Sequence, residues 1–289
     1  TYEPLEEMTK EDRLSEADRL WAQGEKAQGR AKLAKQLEAA EGYLYLLPAT
    51  GIVQTKIERR LSELGEVPTD IDIRQVLKEA WCLISFEPKR PVWPPNFVLV
   101  PHGRVMTRPG LVGSCIYVNE EASLEVKSPK RFTGEQGFTV MCWFCPIEFP
   151  PESPLVTTED LLDGPDERGF VLRLDRDRPL FQIGCGLRRW HGSPANVPIE
   201  TNKWYHFAGV YDTKQIIFYI NGEEASRRDV QPFSPSSTSL WIGRRPPGRL
   251  LPTKANALID EVLIHPTPLS VKVITAIYQL RVPLITTIK

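Results

Sequence analysis

No run of about 18 apolar residues occurs in the 289-residue chain, so no segment reads as a membrane-spanning helix. A charged-then-apolar leader is missing as well. The chain opens at Thr1 rather than Met, and the expectation is that a targeting segment has been removed or lies outside this sequence. Charge of one sign is not in excess: 36 Lys and Arg face 37 Asp and Glu, a net charge of -1 that leaves no electrostatic footprint for nucleic acid. Histidine is scarce, and His102, His191, His206 and His265 are scattered, with no His-x-x-x-His pair on a helix and no hydrolytic-triad context. A glycine-rich phosphate loop is absent too. The five cysteines, Cys82, Cys115, Cys142, Cys145 and Cys185, are odd in number and lack a repeated metal-ligand spacing. Cys142 and Cys145 have the separation of a metal or redox motif, but within a strand an odd offset sends their side chains to opposite faces. All five read as small buried hydrophobes with no metal, and free thiols in a core favour a reducing intracellular or organellar compartment.

What is present first is helical. Between about 10 and 47 Leu14, Ala17, Trp21, Ala27, Ala31, Ala34, Leu37, Ala40 and Leu44 recur at spacings of mostly three or four, with Gly24 and Gly29 as interruptions and Pro48 as the stop. A second helix is expected over 52–64, ending at Gly65. A third opens at Thr69 with Asp72 in a capping box and carries Val76, Leu77, Ala80, Trp81 and Ile84 on its buried side. No period near 34 residues supports a helical solenoid. Six prolines between 87 and 110, with Trp93 and Phe97 among them, predict an extended strap tying the helices to the C-terminal region, or a docking segment whose aromatics insert into a partner.

From there the pattern changes to period two. The segment KWYHFAGVYDTKQIIFYING over 203–222 reads as two strands joined at Asp212 to Gln215, with Asn221-Gly222 as the next turn. GFTVMCWFCP over 137–146, GFVLRLDRDRPLFQIG over 169–184, LWIG over 240–243 and ALIDEVLIHPTPLSVKVITAIY over 257–278 follow the same order of strands and a closing helix. In this order and spacing the chain resembles the laminin-G-like, concanavalin-A-like jelly-roll family over about 111–280. The resemblance implies a multidomain α plus all-β chain: a helical region at 1–86, the proline strap at 87–110, an antiparallel β-sandwich at 111–280 with a short C-terminal helix, and a tail at 281–289.

That family mostly binds and scaffolds, and an extracellular or cell-surface location is the alternative it implies. Its hydrolases carry acids alternating along one strand, Glu-x-Asp-x-x-Glu, and no such pattern occurs here. Asp160, Asp163, Asp166 and Glu167 lie instead in a Pro- and Gly-punctuated stretch and read as solvated loop charges. His206 takes the family's structural His position. Some relatives bind calcium; here the closing Asp260-Glu261 reads rather as a hydrogen-bonding corner, and the arginine within Asp175-Arg176-Asp177 repels a cation. No cofactor is expected. The candidate binding cluster is Arg188, Arg189, Trp190 and His191 together with Trp241, Arg244 and Arg245, which combines cations with aromatics.

The strand at 204–211 is apolar at both parities, so something must cover its outer face. Tyr205, Phe207 and Tyr211 are expected on that face, under the N-terminal helices or a partner subunit. The functional expectation is a non-catalytic structural or interaction protein, a scaffold or accessory subunit whose main partners are other proteins. A carbohydrate-binding module using Trp190 and Trp241 is the alternative, and a concanavalin-like glycoside hydrolase the third reading.

Overall fold

A computed structural model describes residues 9–26, 73–87, 91–111, 113–134, 136–160, 167–186, 189–247 and 253–280, with isolated positions between 36 and 53. The chain divides into two compact units, Thr1–Ile71 with Gln279–Val282, and Asp72–Tyr278 with Pro283–Lys289.

In the first unit α1 spans Lys10–Lys26. Thr9 caps it: the Asp12 backbone N–H donates to the Thr9 hydroxyl at 3.1 Å, and that hydroxyl donates to the Asp12 carboxylate. One stripe is buried, and Ala17, Leu20 and Trp21 from it cluster with Ala39, Tyr43 and Leu46. The Tyr43 hydroxyl donates to Asp18 at 2.7 Å. The helix expected over 52–64 lies almost wholly outside the described residues. The third expected helix is shorter than its pattern: α2 is Ile73–Lys78, and Cys82–Ile84 is a strand instead, every residue of it buried. Three successive apolar residues buried on both sides suit an interior strand as well as a helix end, and pairing with the closing strand decides the matter.

The second unit is a sandwich whose strand pairings are all antiparallel. One sheet runs β14 (Glu223–Asp229), β13 (Gln215–Ile220), β12 (Tyr205–Tyr211), β7 (Phe138–Pro146), β16 (Ala257–His265), β1 (Cys82–Ile84) and β2 (Val92–Trp93). In the same sheet β5 (Ser114–Val118) pairs β16, and β4 (Met106–Pro109) pairs β5. The other runs β11 (Trp190–Pro194), β10 (Arg178–Gly184), β9 (Phe170–Asp175), β8 (Ser153–Thr157), β15 (Leu240–Ile242), β6 (Ser123–Lys127) and β3 (Val98–His102). After β16 the helix α3 covers Val271–Gln279. The Asn221-Gly222 turn between β13 and β14 has φ of 54° and 83°, the doubly positive backbone that this dipeptide tolerates best.

The proline-rich segment is not a strap apart from the sandwich. β2 and β4 lie in one sheet and β3 in the other, so it supplies edge strands, where a missing N–H costs least. Phe97 is in the core, edge-on to Trp81 at 5.0 Å, and Trp93 is half-buried opposite Leu83. Neither stands out as an aromatic free to insert into a partner.

The inter-sheet core also reverses the expected orientation of β12. Phe207 and Tyr211 are buried in it, with Tyr205 packed against it and Phe144 and Phe218 within 4.3 and 5.0 Å of Phe207. This parity faces inward because the opposing sheet needs room there: a Cβ on Gly209 would lie 2.5 Å from the Phe181 ring. Outward point His206, Ala208 and Val210, all buried as well. Part of their cover comes from within the unit, since Tyr278 of α3 stacks on Trp143 at 5.4 Å and tilts against His206 at 5.9 Å.

Candidate functional site

Alternation builds a polar layer on the outside of the seven-stranded sheet. Leu124 and Val126, Leu172 and Leu174, and Leu240 and Ile242 face the core, so Glu125, Arg173 and Trp241 between them face away. Trp241 lies in register with Glu125 on one side and Thr157 on the other. His102 lies against the Trp241 ring at 4.7 Å, the Arg244 guanidinium sits 5.1 Å from its centroid, and the His102 Nε2 is 3.2 Å from Glu125. Trp241 is thus only 5 % exposed, its stacking surface already used by its own chain.

Beside it is a lattice of ion pairs. Glu152 meets Arg173 at 2.9 Å and Arg245 at 2.7 Å, and Arg245 also reaches Glu159 at 3.1 Å. Glu159 is 2 % exposed, and the Thr157 hydroxyl is 3.4 Å from its carboxylate. Burial pushes its carboxyl above the usual range, although Arg245 and Arg173 pull the other way. Arg245 is therefore a structural cross-link rather than a rim contact.

The second cluster lies at the sandwich edge. β11 ends the seven-stranded sheet and meets β14, the end of the other: Ser193 donates to the Ser226 hydroxyl at 2.8 Å, and Arg228 to the Gly192 carbonyl at 3.0 Å. Arg189 closes the turn before β11 and extends to the Gln231 side chain at 3.4 Å. The Trp190 indole donates to Glu167. Burial first, then Arg228 and Arg189, hold His191 below the ordinary imidazole range.

The residues grouped from sequence are thus divided. Trp190 is on β11 and Trp241 on β15, four strand spacings or roughly 19 Å apart along the sheet, so they form two clusters and not one rim. Arg188 lies outside the described residues, as do Asp163 and Asp166. Asp160 accepts from Ser237 at 2.9 Å. Sequence reasoning missed Glu152, Glu159, Arg173, His102 and Arg228; of these only Arg173 carried a signal, a lone cation at the outward parity of an apolar strand.

Asp260 and Glu261 are buried at a bulge in β16, where the Glu261 N–H donates to Asp260 at 2.8 Å. Among the described residues no group of three His, Cys, Asp or Glu is arranged to hold a metal ion. Cys142 is in the core, and Cys145 belongs to the opposite parity of β7. Burial pushes the Cys115 thiol up to about 12 and Cys185 to about 11, far from nucleophilic.

No curated protein matches the chain in sequence. Among solved structures, the binding domain of botulinum neurotoxin DC in complex with SialylT superposes with a TM-score of 0.55 at 12% identity, covering 72% of this chain and 52% of that one. The same neurotoxin domain with rat synaptotagmin II matches at a TM-score of 0.55 and 12% identity, over 70% and 52%. Domain 4 of AbnA, a GH43 extracellular arabinanase from Geobacillus stearothermophilus, in complex with arabinotriose, matches at 0.56 and 17% identity, over 68% of this chain and 97% of that domain. The chain spans about half the length of the neurotoxin domains, and identities this low carry the fold alone. Residues 119–275, more than half of the chain, match the concanavalin A-like lectin/glucanases superfamily (Laminin_G_3), and with its two packed antiparallel sheets the protein belongs to that family.

Proposed function

We propose that this chain is a non-catalytic interaction protein, a scaffold or accessory component whose sandwich serves as a rigid platform for other proteins. The observation that supports this reading is the ion-pair lattice. On the outer face of the seven-stranded sheet Glu152 and Glu159 are both tied to arginine, and Glu125 pairs with His102 and Lys127. Both Glu152 oxygens are engaged by guanidiniums, Oε1 by Arg173 and Oε2 by Arg245, and Glu159 is 2 % exposed, out of reach of a glycosidic oxygen. Locked charges of this kind give a surface of fixed shape and pattern, which suits binding. The test combines a native pull-down of the full chain, read by mass spectrometry, with a glycan turnover panel. A stoichiometric protein partner without turnover is the expected result; turnover of any glycan refutes the proposal.

A carbohydrate-binding reading is favoured by one feature, the half-buried Trp190 beside Glu167 on an edge strand. Glycan-array binding that Trp190→Ala abolishes would put it first.

A further inference from the structure

Some arginines of the sandwich are ion-paired, and others, such as Arg131 at the Ser236 and Pro235 carbonyls, meet neutral acceptors. Arg173, Arg227 and Arg245 are each ion-paired to a carboxylate, at 2.9, 2.7 and 2.7 Å. Arg189 and Arg228 are not: among the described residues their partners are the Gln231 amide oxygen and the Gly192 carbonyl, both neutral. Both side chains are exposed, Arg189 in the turn before β11 and Arg228 on β14, and these strands of different sheets meet at one edge. His191 is next in the chain to Gly192, which holds Arg228, and one residue removed from Arg189; burial first, then both guanidiniums, lower its pKa. Arg228 ties β14 to β11 through the Gly192 carbonyl, but among the described residues neither guanidinium meets a carboxylate.

We propose that Arg189, His191 and Arg228 form a carboxylate-binding site on the lateral edge of the sandwich that takes an acidic side chain from a partner protein segment. The site rests on the interaction-protein reading and names the chemistry of the partner. A guanidinium presents paired N–H donors that match a planar carboxylate, and an unpaired cation near the surface draws an anion at little desolvation cost. A protein segment is the source of carboxylate that the interaction-protein reading calls for, and a glycan carboxylate is the competing outcome of the test.

The full chain is titrated calorimetrically at low salt with a glutamate-rich synthetic peptide, with its glutamine counterpart, and with a sialylated or sulfated oligosaccharide. The glutamate peptide is expected to bind and the glutamine peptide to fail. Arg189→Gln and Arg228→Gln should each weaken binding by about tenfold, the loss of one charge-assisted hydrogen bond. Arg227→Gln, whose guanidinium is already held by Glu224, should stay within about twofold. In the unmodified protein the His191 ring resonances should shift on peptide addition, which keeps the test valid if a variant misfolds. No binding of the glutamate peptide, equal binding of the glutamine peptide, unchanged affinity in both variants, or saturation by the oligosaccharide alone overturns the site. A natural partner still retained by the Arg189→Gln, Arg228→Gln double variant also overturns it while leaving the interaction reading intact; glycan turnover removes that reading itself.

Discussion

His265 ends β16 with its ring enclosed at 3 % exposure, and its Nδ1 accepts from the Thr267 backbone N–H at 3.3 Å, with the Thr267 hydroxyl 2.9 Å away. A proton on that nitrogen would face another donor. Burial holds the imidazole below its ordinary pKa of 6.5, although backbone hydrogen bonding at Thr267, then Glu79 and the Val76 backbone, pull the other way. The folded protein then binds fewer protons here than the unfolded chain. Its contribution to stability is complete above pH 6.5 and is lost as pH falls from there through the depressed value. His265→Asn keeps an acceptor for Thr267 and does not titrate. Melting curves between pH 5 and 7.5 should show the wild type losing stability on acidification faster than the variant, by at most about 1.4 kcal/mol per pH unit. Parallel pH profiles would mean that the ring is not kept neutral by the fold.

At the scale of elements, the β12–β13 hairpin shows why apolar character at both parities does not signal a missing partner. One side of β12 fills the inter-sheet core, and the other is covered at His206 by α3, whose Tyr278 packs against both Trp143 and His206. The pairing is anchored at the turn: the His206 N–H donates to the Asn221 side chain at 2.9 Å, and the Thr275 hydroxyl of α3 to the Gly222 carbonyl at 3.0 Å. A double-mutant cycle between Tyr278→Ala and Trp143→Leu should therefore give a coupling of about 0.5–1.5 kcal/mol in denaturant unfolding. Strictly additive effects would show that α3 does not seal this face.

For the whole molecule, the boundary of the sandwich unit falls at Asp72, ahead of β1, rather than after residue 86. β1 sits between β16 and β2, with Cys82, Leu83 and Ile84 all at 0% exposure. Two truncations separate the boundaries. A chain starting at Asp72 keeps every strand; one starting at Glu87 loses β1 and uncovers the side of β16. The shorter chain should be less stable by roughly 3 kcal/mol or more, the cost of two large buried side chains and a ladder. Equal urea midpoints for the two would place β1 outside the cooperative unit.

Period-two alternation, the Asn221-Gly222 turn and the apolar closing strand at 257–265 are enough in the sequence to define β7, β9, β10, β12, β13, β15 and β16 and the family, because each is set by neighbours within a few residues. Alternation says that a residue is buried and not in which layer, so the expectation for Tyr205, Phe207 and Tyr211 falls on the wrong face; only Gly209, making room for Phe181 of the other sheet, distinguishes the two parities. Site composition is less legible still. Trp190 and Trp241 look alike in sequence and lie four strands apart, while Arg189 and Arg228, far apart in the chain, both act on His191 because β11 and β14 end their sheets at the same edge. Which strands become neighbours is decided by long-range pairing, as of Thr139 with His265, and by the way two sheets close on a shared core, and no local pattern encodes either.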